Sequence, residues 1–208
     1  MKLSFSQLEN ARQNPSKFGR RFRTGGGFFS NSNFRTYFVS AIRLFHQGKS
    51  AQQAVDHFEQ LCTAKLSHLQ HFEARLQHYK IVLMNYCRTF GKQKCEVVAI
   101  KRRVWLQVGN HLLGGIIERL DLRLPKGFRV TATEMERTDW RHQLRWPLIQ
   151  KAIALEIGCL PAEVEIAVFS LDDGGYVSKT YSDSEIAQAE VETVSVLDEV
   201  EENLPEIE

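Results

Sequence analysis

The hydrophobic pattern of this chain changes period once, near Cys95, and that change constrains the fold more than any other feature. Up to Phe90, apolar residues recur every three or four positions, the spacing of a helix that buries one face. Phe34, Phe38, Ile42 and Phe45 form one such stripe, with Asn33 placed to cap it and Gly48 to stop it. A second stripe opens after the capping residue Ser50 and carries Val55, Phe58, Leu66, Phe72, Leu76 and Leu83 on to about Phe90. That length, about forty residues, exceeds an ordinary globular helix and predicts two helices. Beyond Cys95 the apolar runs shorten and alternate. Residues 96–100, 104–108, 112–124, 128–133, 164–171 and 176–181 read as strands. Gly109-Asn110, Pro125-Lys126-Gly127 and Asp172-Asp173-Gly174-Gly175 supply turns between them. An amphipathic stretch from Asp139 to Ile157 predicts a helix that Pro147 kinks or restarts. A helix between strands implies a crossover, and so a mixed sheet. The expected class is α/β, a central mixed sheet flanked by helices, with a helical N-terminal half.

The finer organisation follows from local signals. Ser6-Gln7-Leu8-Glu9 reads as a capping box opening a first helix. Pro15 and Gly25-Gly26-Gly27 predict irregular backbone over the basic stretch RQNPSKFGRRFR, residues 12–23. A last helix is expected to start at Ser182 or Ser184. Residues 1–182 are read as one domain, mainly helical over 1–91 and sheet over 92–182, followed by an acidic helix and tail at 183–208. No run of apolar residues is long enough to cross a membrane. The opening MKLSFSQLENARQNP lacks the apolar core of a secretory signal. Four scattered cysteines show no metal or disulfide spacing. A cytoplasmic protein is the expectation.

Net charge is only +2, but the balance is divided. Residues 1–150 hold 25 Lys and Arg against 10 Asp and Glu, a net of +15; residues 151–208 hold 2 against 15, a net of −13. A basic body of this kind suits a polyanionic partner, most often nucleic acid. Within it, Arg20, Arg21 and Arg23 lie among Phe18 and Phe22, which either stack on bases or pack in the core. Arg102, Arg103, Arg141 and Arg145 are further candidates for phosphate contacts. The last segment, 183–208, has ten acidic residues and no basic one. It reads as a solubilising end, or as a segment that folds over the basic groove and competes with nucleic acid. Trp105, Trp140 and Trp146 read as packing residues, and His68, His71 and His78 as a half-exposed polar stripe.

Carboxylates supply the chemistry. Glu118 interrupts an apolar strand between Ile117 and Leu120, and Glu134 and Glu136 follow at the end of the next strand with period-two spacing. Adjacent antiparallel strands can bring Glu118 and Glu134 together at one end of a sheet. Clustered carboxylates repel and need a cation, and hard oxygen ligands suit Mg2+ or Mn2+. Solvated edge carboxylates are the plainer reading of the same spacing.

Four segments, taken in order, resemble the RecB-like branch of the PD-(D/E)XK nucleases, which includes CRISPR-associated exonucleases. Leu3-Ser4-Phe5-Ser6-Gln7-Leu8 resembles its S-x-S-x-L opening, and Gly115 through Asp121 its G-x-I-D-R-I-D strand. Val130 to Glu136 resembles its V-x-D-Y-K strand, and His142-Gln143-Leu144 the start of its Q-L-x-x-Y helix. The resemblance implies a restriction-endonuclease-like fold and a metal-dependent deoxyribonuclease. It implies Glu118 and Glu134 as metal ligands, Glu96 as a third, Glu136 in the place of the family lysine to orient water, and Gln143 as a supporting residue. Glu136 for lysine, Pro147 for tyrosine, and Tyr37 and Phe38 where many members carry histidine are departures. They sustain an alternative: a catalytically inactive DNA-binding or scaffolding subunit, with protein partners in a nucleic-acid-processing complex.

Overall fold

The computed structural model describes residues 1–22, 33–91, 95–123, 127–134 and 140–204. In chain order the elements are β1 (Lys2–Ser4), α1 (Phe5–Gln13), α2 (Pro15–Phe22), α3 (Phe34–His46), α4 (Ala51–Leu66) and α5 (Phe72–Gly91). They continue as β2 (Cys95–Val108), β3 (His111–Arg123), β4 (Phe128–Glu134), α6 (Arg145–Ile157), β5 (Val164–Ser170), β6 (Tyr176–Lys179) and α7 (Asp183–Glu202). The six strands form one mixed sheet, ordered β1-β3-β4-β5-β6, with β2 also paired to β3. The expected α/β class holds, including the parallel β4–β5 pair bridged by α6.

The two sheet faces bury different helices. On one face, α1, α2, α6 and α7 cover Leu113, Leu120, Val130, Ile166 and Val168. On the other, α3, α4 and α5 close an aromatic core in which Phe38, Tyr86 and Phe90 pack around Phe169 from β5. The predicted caps Asn33 and Ser50 sit where expected, each accepting a backbone N–H in the first turn.

Several local expectations are corrected. The first helix is boxed by Ser4 and Gln7 instead of Ser6 and Glu9, which places Phe5, Leu8 and Ala11 inward. Residues 15–22 of the supposed irregular stretch are helical: Phe18 and Gly19 are buried, Gly19 so close to the Val200 carbonyl of α7 that a side chain would collide with it. Pro147 does not kink α6, because it lies in the first turn, where its missing N–H has no intrahelical partner to lose. The segments 96–100 and 104–108 are one strand. A register shift between Val97 and Ala99 and a left-handed Lys101 (φ 58°) break its alternation.

Within the acidic segment, Asp183–Glu202 form a docked helix. Ile186, Ala189, Leu197 and Val200 of α7 are buried. Its carboxylates pair with Arg12 through Glu192, Lys151 through Glu190 and Lys179 through Glu185.

Candidate nucleic-acid interface

The edge of β3 opposite β2 is shared by two strands. β1 pairs in parallel with Leu112–Gly114, and β4 pairs antiparallel with Arg119–Leu122. Residues 115–118 lie between these pairings, and there the sheet opens into a cleft of about 860 Å³. α3 forms one wall of the cleft, and the starts of α1 and α6 form another.

Glu118 and Glu134 both line this cleft. Leu120 and Val130 pair across β3 and β4 on the α6-covered face, and strand alternation puts Glu118 and Glu134 on that same face. Glu118 sits where β3 leaves β4, so its carboxylate takes over the Thr133 N–H that the sheet no longer bonds. One oxygen accepts both the Thr133 N–H and the Thr133 hydroxyl, each at 2.8 Å. The other accepts from Arg35 of α3 at 2.6 Å, and Arg35 also donates to the Thr133 carbonyl at 2.8 Å. Burial pushes the Glu118 carboxyl above its ordinary range, against the opposing pull of Arg35 and the Thr133 bonds.

Glu134 accepts from Arg145 at 3.0 Å. Arg145 is fixed on three further sides. Its backbone N–H bonds Glu9 of α1, its Nε bonds Gln143 Oε1 at 2.8 Å, and its guanidinium lies 4.4 Å from the Trp146 ring centroid. Glu9 thus caps α6 rather than its own helix, and burial raises its pKa despite Arg145. Gln143 acts on the site through Arg145.

Behind this pair lies a buried polar group. Arg119 donates to Asp121 at 2.5 Å and faces His46 at 2.9 Å, and His46 contacts the Tyr86 hydroxyl at 2.8 Å. Burial, and then the Arg119 charge, hold His46 neutral with its pKa lowered to about 3.

The cleft is strongly cationic. Arg35, Arg119 and Arg145 are paired with carboxylates. Lys2, Arg43, Lys101 and Arg103 line the same space with no acidic partner among the described residues. The Nε of Arg43 is buried without a hydrogen-bond partner. Sequence reasoning reached Arg103 and Arg145 but not the other five cations, Lys2 of β1, Arg35 and Arg43 of α3, Lys101 of β2 and Arg119 of β3.

No family model matches this chain, and no curated protein matches it. Among solved structures, one named "Putative exonuclease" from Eubacterium rectale superposes with a TM-score of 0.58, covering 97% of this chain and 82% of that one at 8% identity. SSO0001 superposes at a TM-score of 0.34 and 10% identity, covering 88% and 85%. This chain shares its fold with the first of these. At such identity the likeness is one of fold alone.

Other expected site residues fall elsewhere on the fold. Glu96 is exposed and pairs with Leu122, four positions along β3 from Glu118, or about 13 Å at strand rise. Arg20 and Arg21 are exposed on α2, and Arg102 is held by Glu156 at 2.7 Å; none of the three lines the cleft. Arg141 borders a separate depression of about 350 Å³. Glu136 and Arg23 lie outside the described residues. Trp140 and Trp146 are packed as expected, whereas Trp105 is 43% exposed.

The donor set around Glu118 and Glu134 does not fit a divalent metal as it stands. Glu118 already accepts three hydrogen bonds and one oxygen of Glu134 is bonded to a guanidinium, so an ion there would meet two arginine side chains beside the carboxylates. A different His/Asp/Glu group exists away from the cleft. His111, Asp198 and Glu201 bring ligand atoms within 4.8 Å of one another, with the Met1 amine 2.7 Å from Glu201. Among the described residues, no helix is long and apolar enough to cross a membrane.

Proposed function

We propose that this chain is a nucleic-acid-binding protein of nuclease-like fold, which holds DNA in the β1/β3/β4 cleft while arginines neutralise its carboxylate pair. The observation that carries this reading is the double clamp of Arg35 on Glu118 and Arg145 on Glu134. A hydrolytic carboxylate site needs free oxygens for an ion; here one oxygen of each carboxylate is bonded to a guanidinium group, and the second oxygen of Glu118 is taken by Thr133. The remaining cations, Lys2, Arg43, Lys101 and Arg103, are those that phosphates can claim. If each neutralises one phosphate, log K falls with log salt at a slope of about −3 for a single strand.

A second reading is metal-dependent hydrolysis of DNA phosphodiesters with Mg2+ or Mn2+. It is favoured by the convergence of Glu118 and Glu134 on one cleft and by the nuclease-like fold. It requires Arg35 and Arg145 to withdraw. Incubation of labelled DNA with either metal separates the two. The binding reading expects a salt-dependent complex and intact DNA. Metal-dependent cleavage that disappears in both Glu118→Ala and Glu134→Ala overturns it. A module that binds without cutting is suited to serve a larger nucleic-acid-processing complex, and copurification of further subunits tests that role.

A further inference from the structure

We propose that Trp105 is a stacking platform for one unpaired nucleobase at the mouth of the cleft, with Lys2 and Arg103 set to hold the neighbouring phosphates. The proposal rests on the nucleic-acid reading of the cleft and assigns the residue that reads strandedness.

Trp105 alternates along β2 with the buried Val104 and Leu106 and therefore points away from the core. Two of the three tryptophans, Trp140 and Trp146, are buried to 4% and 3%, but Trp105 keeps 43% of its surface in solvent. Its cross-strand partner is Gly114. With no side chain there, the indole lies down on the β3 backbone: a Cβ at Gly114 would sit 2.1 Å from Trp105 Cζ3. The ring is thus fixed in orientation on one side and keeps part of its surface in solvent.

Charge completes the site. Lys2 Nζ lies 4.4 Å and the Arg103 guanidinium 5.9 Å from the indole centroid. Neither cation has an acidic partner among the described residues. Both cations lie over the ring and favour it as a cation–π partner. A nucleotide supplies what this group can take, a flat π-surface for the ring and an anion for each cation. Bases inside a duplex have both faces covered, so the platform selects for an unpaired base. The exposed Ile116 is the next residue outward on the cleft-facing stretch of β3 and gives the sugar an apolar neighbour.

The rival role is that the indole only covers Gly114, as aromatic side chains do for strand glycines. The experiment titrates the full chain with oligothymidylate, with an abasic strand of equal length and charge, and with a duplex, reading anisotropy and tryptophan fluorescence. Because Trp140 and Trp146 are buried, quenching reports on Trp105. The platform expects quenching by oligothymidylate and not by the abasic strand. It also expects Trp105→Ala to lose roughly 5- to 150-fold in affinity for oligothymidylate, with abasic and duplex affinities unchanged. Trp105→Phe retains a ring over Gly114 and keeps most of the affinity, which controls for folding. Equal losses on all three ligands, or no quenching on binding, overturn the platform and leave the cleft reading standing. Binding of none of the ligands by the wild-type chain overturns the cleft reading and the platform with it.

Discussion

Asp121→Asn removes one negative charge and almost no volume. Asp121 is fully buried, and Arg119, to which it is bonded at 2.5 Å, is 2% exposed. Its other contacts include a neutral His46 at 2.9 Å, the Tyr86 hydroxyl and the Phe90 ring at 4.6 Å. Breaking a buried ion pair from one side leaves the other charge desolvated and costs about 3–5 kcal/mol. For a chain of this size that corresponds to a fall in Tm of about 6–20 °C. The companion Arg119→Met/Asp121→Leu removes both charges and fills similar space, leaving His46 and Tyr86 bonded to each other, and is expected to recover most of the loss. Urea unfolding followed by circular dichroism measures all three proteins. The reasoning fails if Asp121→Asn lies within about 1 kcal/mol of wild type, or if the double variant is no more stable than the single one.

Other outcomes follow from the same geometry. Removing residues 183–208 exposes the faces that Ile186, Leu197 and Val200 cover, at about 1.5–3 kcal/mol each, which is comparable with the whole stability of a domain. The truncated chain is expected to lose cooperative thermal unfolding by calorimetry, not to bind DNA more tightly. Lys101→Gly relieves a left-handed backbone and should raise stability by about 1 kcal/mol, or about 2–4 °C in Tm, while weakening oligonucleotide binding measured by anisotropy. The Glu118 carboxyl has a raised pKa in the fold, so between its unfolded value and that raised value the native state holds more protons than the unfolded one. Stability from this group is present below the unfolded value and is lost as pH rises through the folded one; Glu118→Gln should flatten that slope in pH-dependent unfolding.

The fold was legible where its signals are local. The stripe from Phe34 to Phe45, the caps at Asn33 and Ser50 and the turn at Gly109-Asn110 each specify structure within a few residues. β1 was not, because three residues carry no period, and α2 was hidden because its one fully buried large side chain, Phe18, is surrounded by cations. Glu118 and Glu134 were legible as a pair because they sit on consecutive strands. Their clamps were only half legible. Arg35 lies 83 residues from Glu118, and nothing near it marks it as a partner, whereas Arg145 lies 11 residues from Glu134. Glu96 failed through register, which sequence does not count: its strand neighbours the site, but its rung does not. The break in alternation at Lys101-Arg102-Arg103 was a real signal. It marked the left-handed backbone at Lys101, which lines the cleft, not the end of a strand.

The two pairings that flank the gap in β3 differ in when they can form. β3 and β4 are only four residues apart in the chain, but Lys2 meets Leu112 only after the intervening chain exists, and Leu112 then donates to the Met1 carbonyl at 2.9 Å. Closing so long a loop costs about 2 kcal/mol more than closing a ten-residue one, and three rungs of ladder with Leu3 and Phe5 as anchors must offset it. The upper wall of the cleft is therefore late to assemble and easy to lift. Amide exchange at Lys2–Ser4 should outpace that at Leu120–Leu122 when followed by NMR, and bound oligonucleotide should narrow the difference. On the nucleic-acid reading proposed above, a nascent or partly opened chain carries the cations of β2 with no wall to press a strand against, so binding awaits the finished molecule.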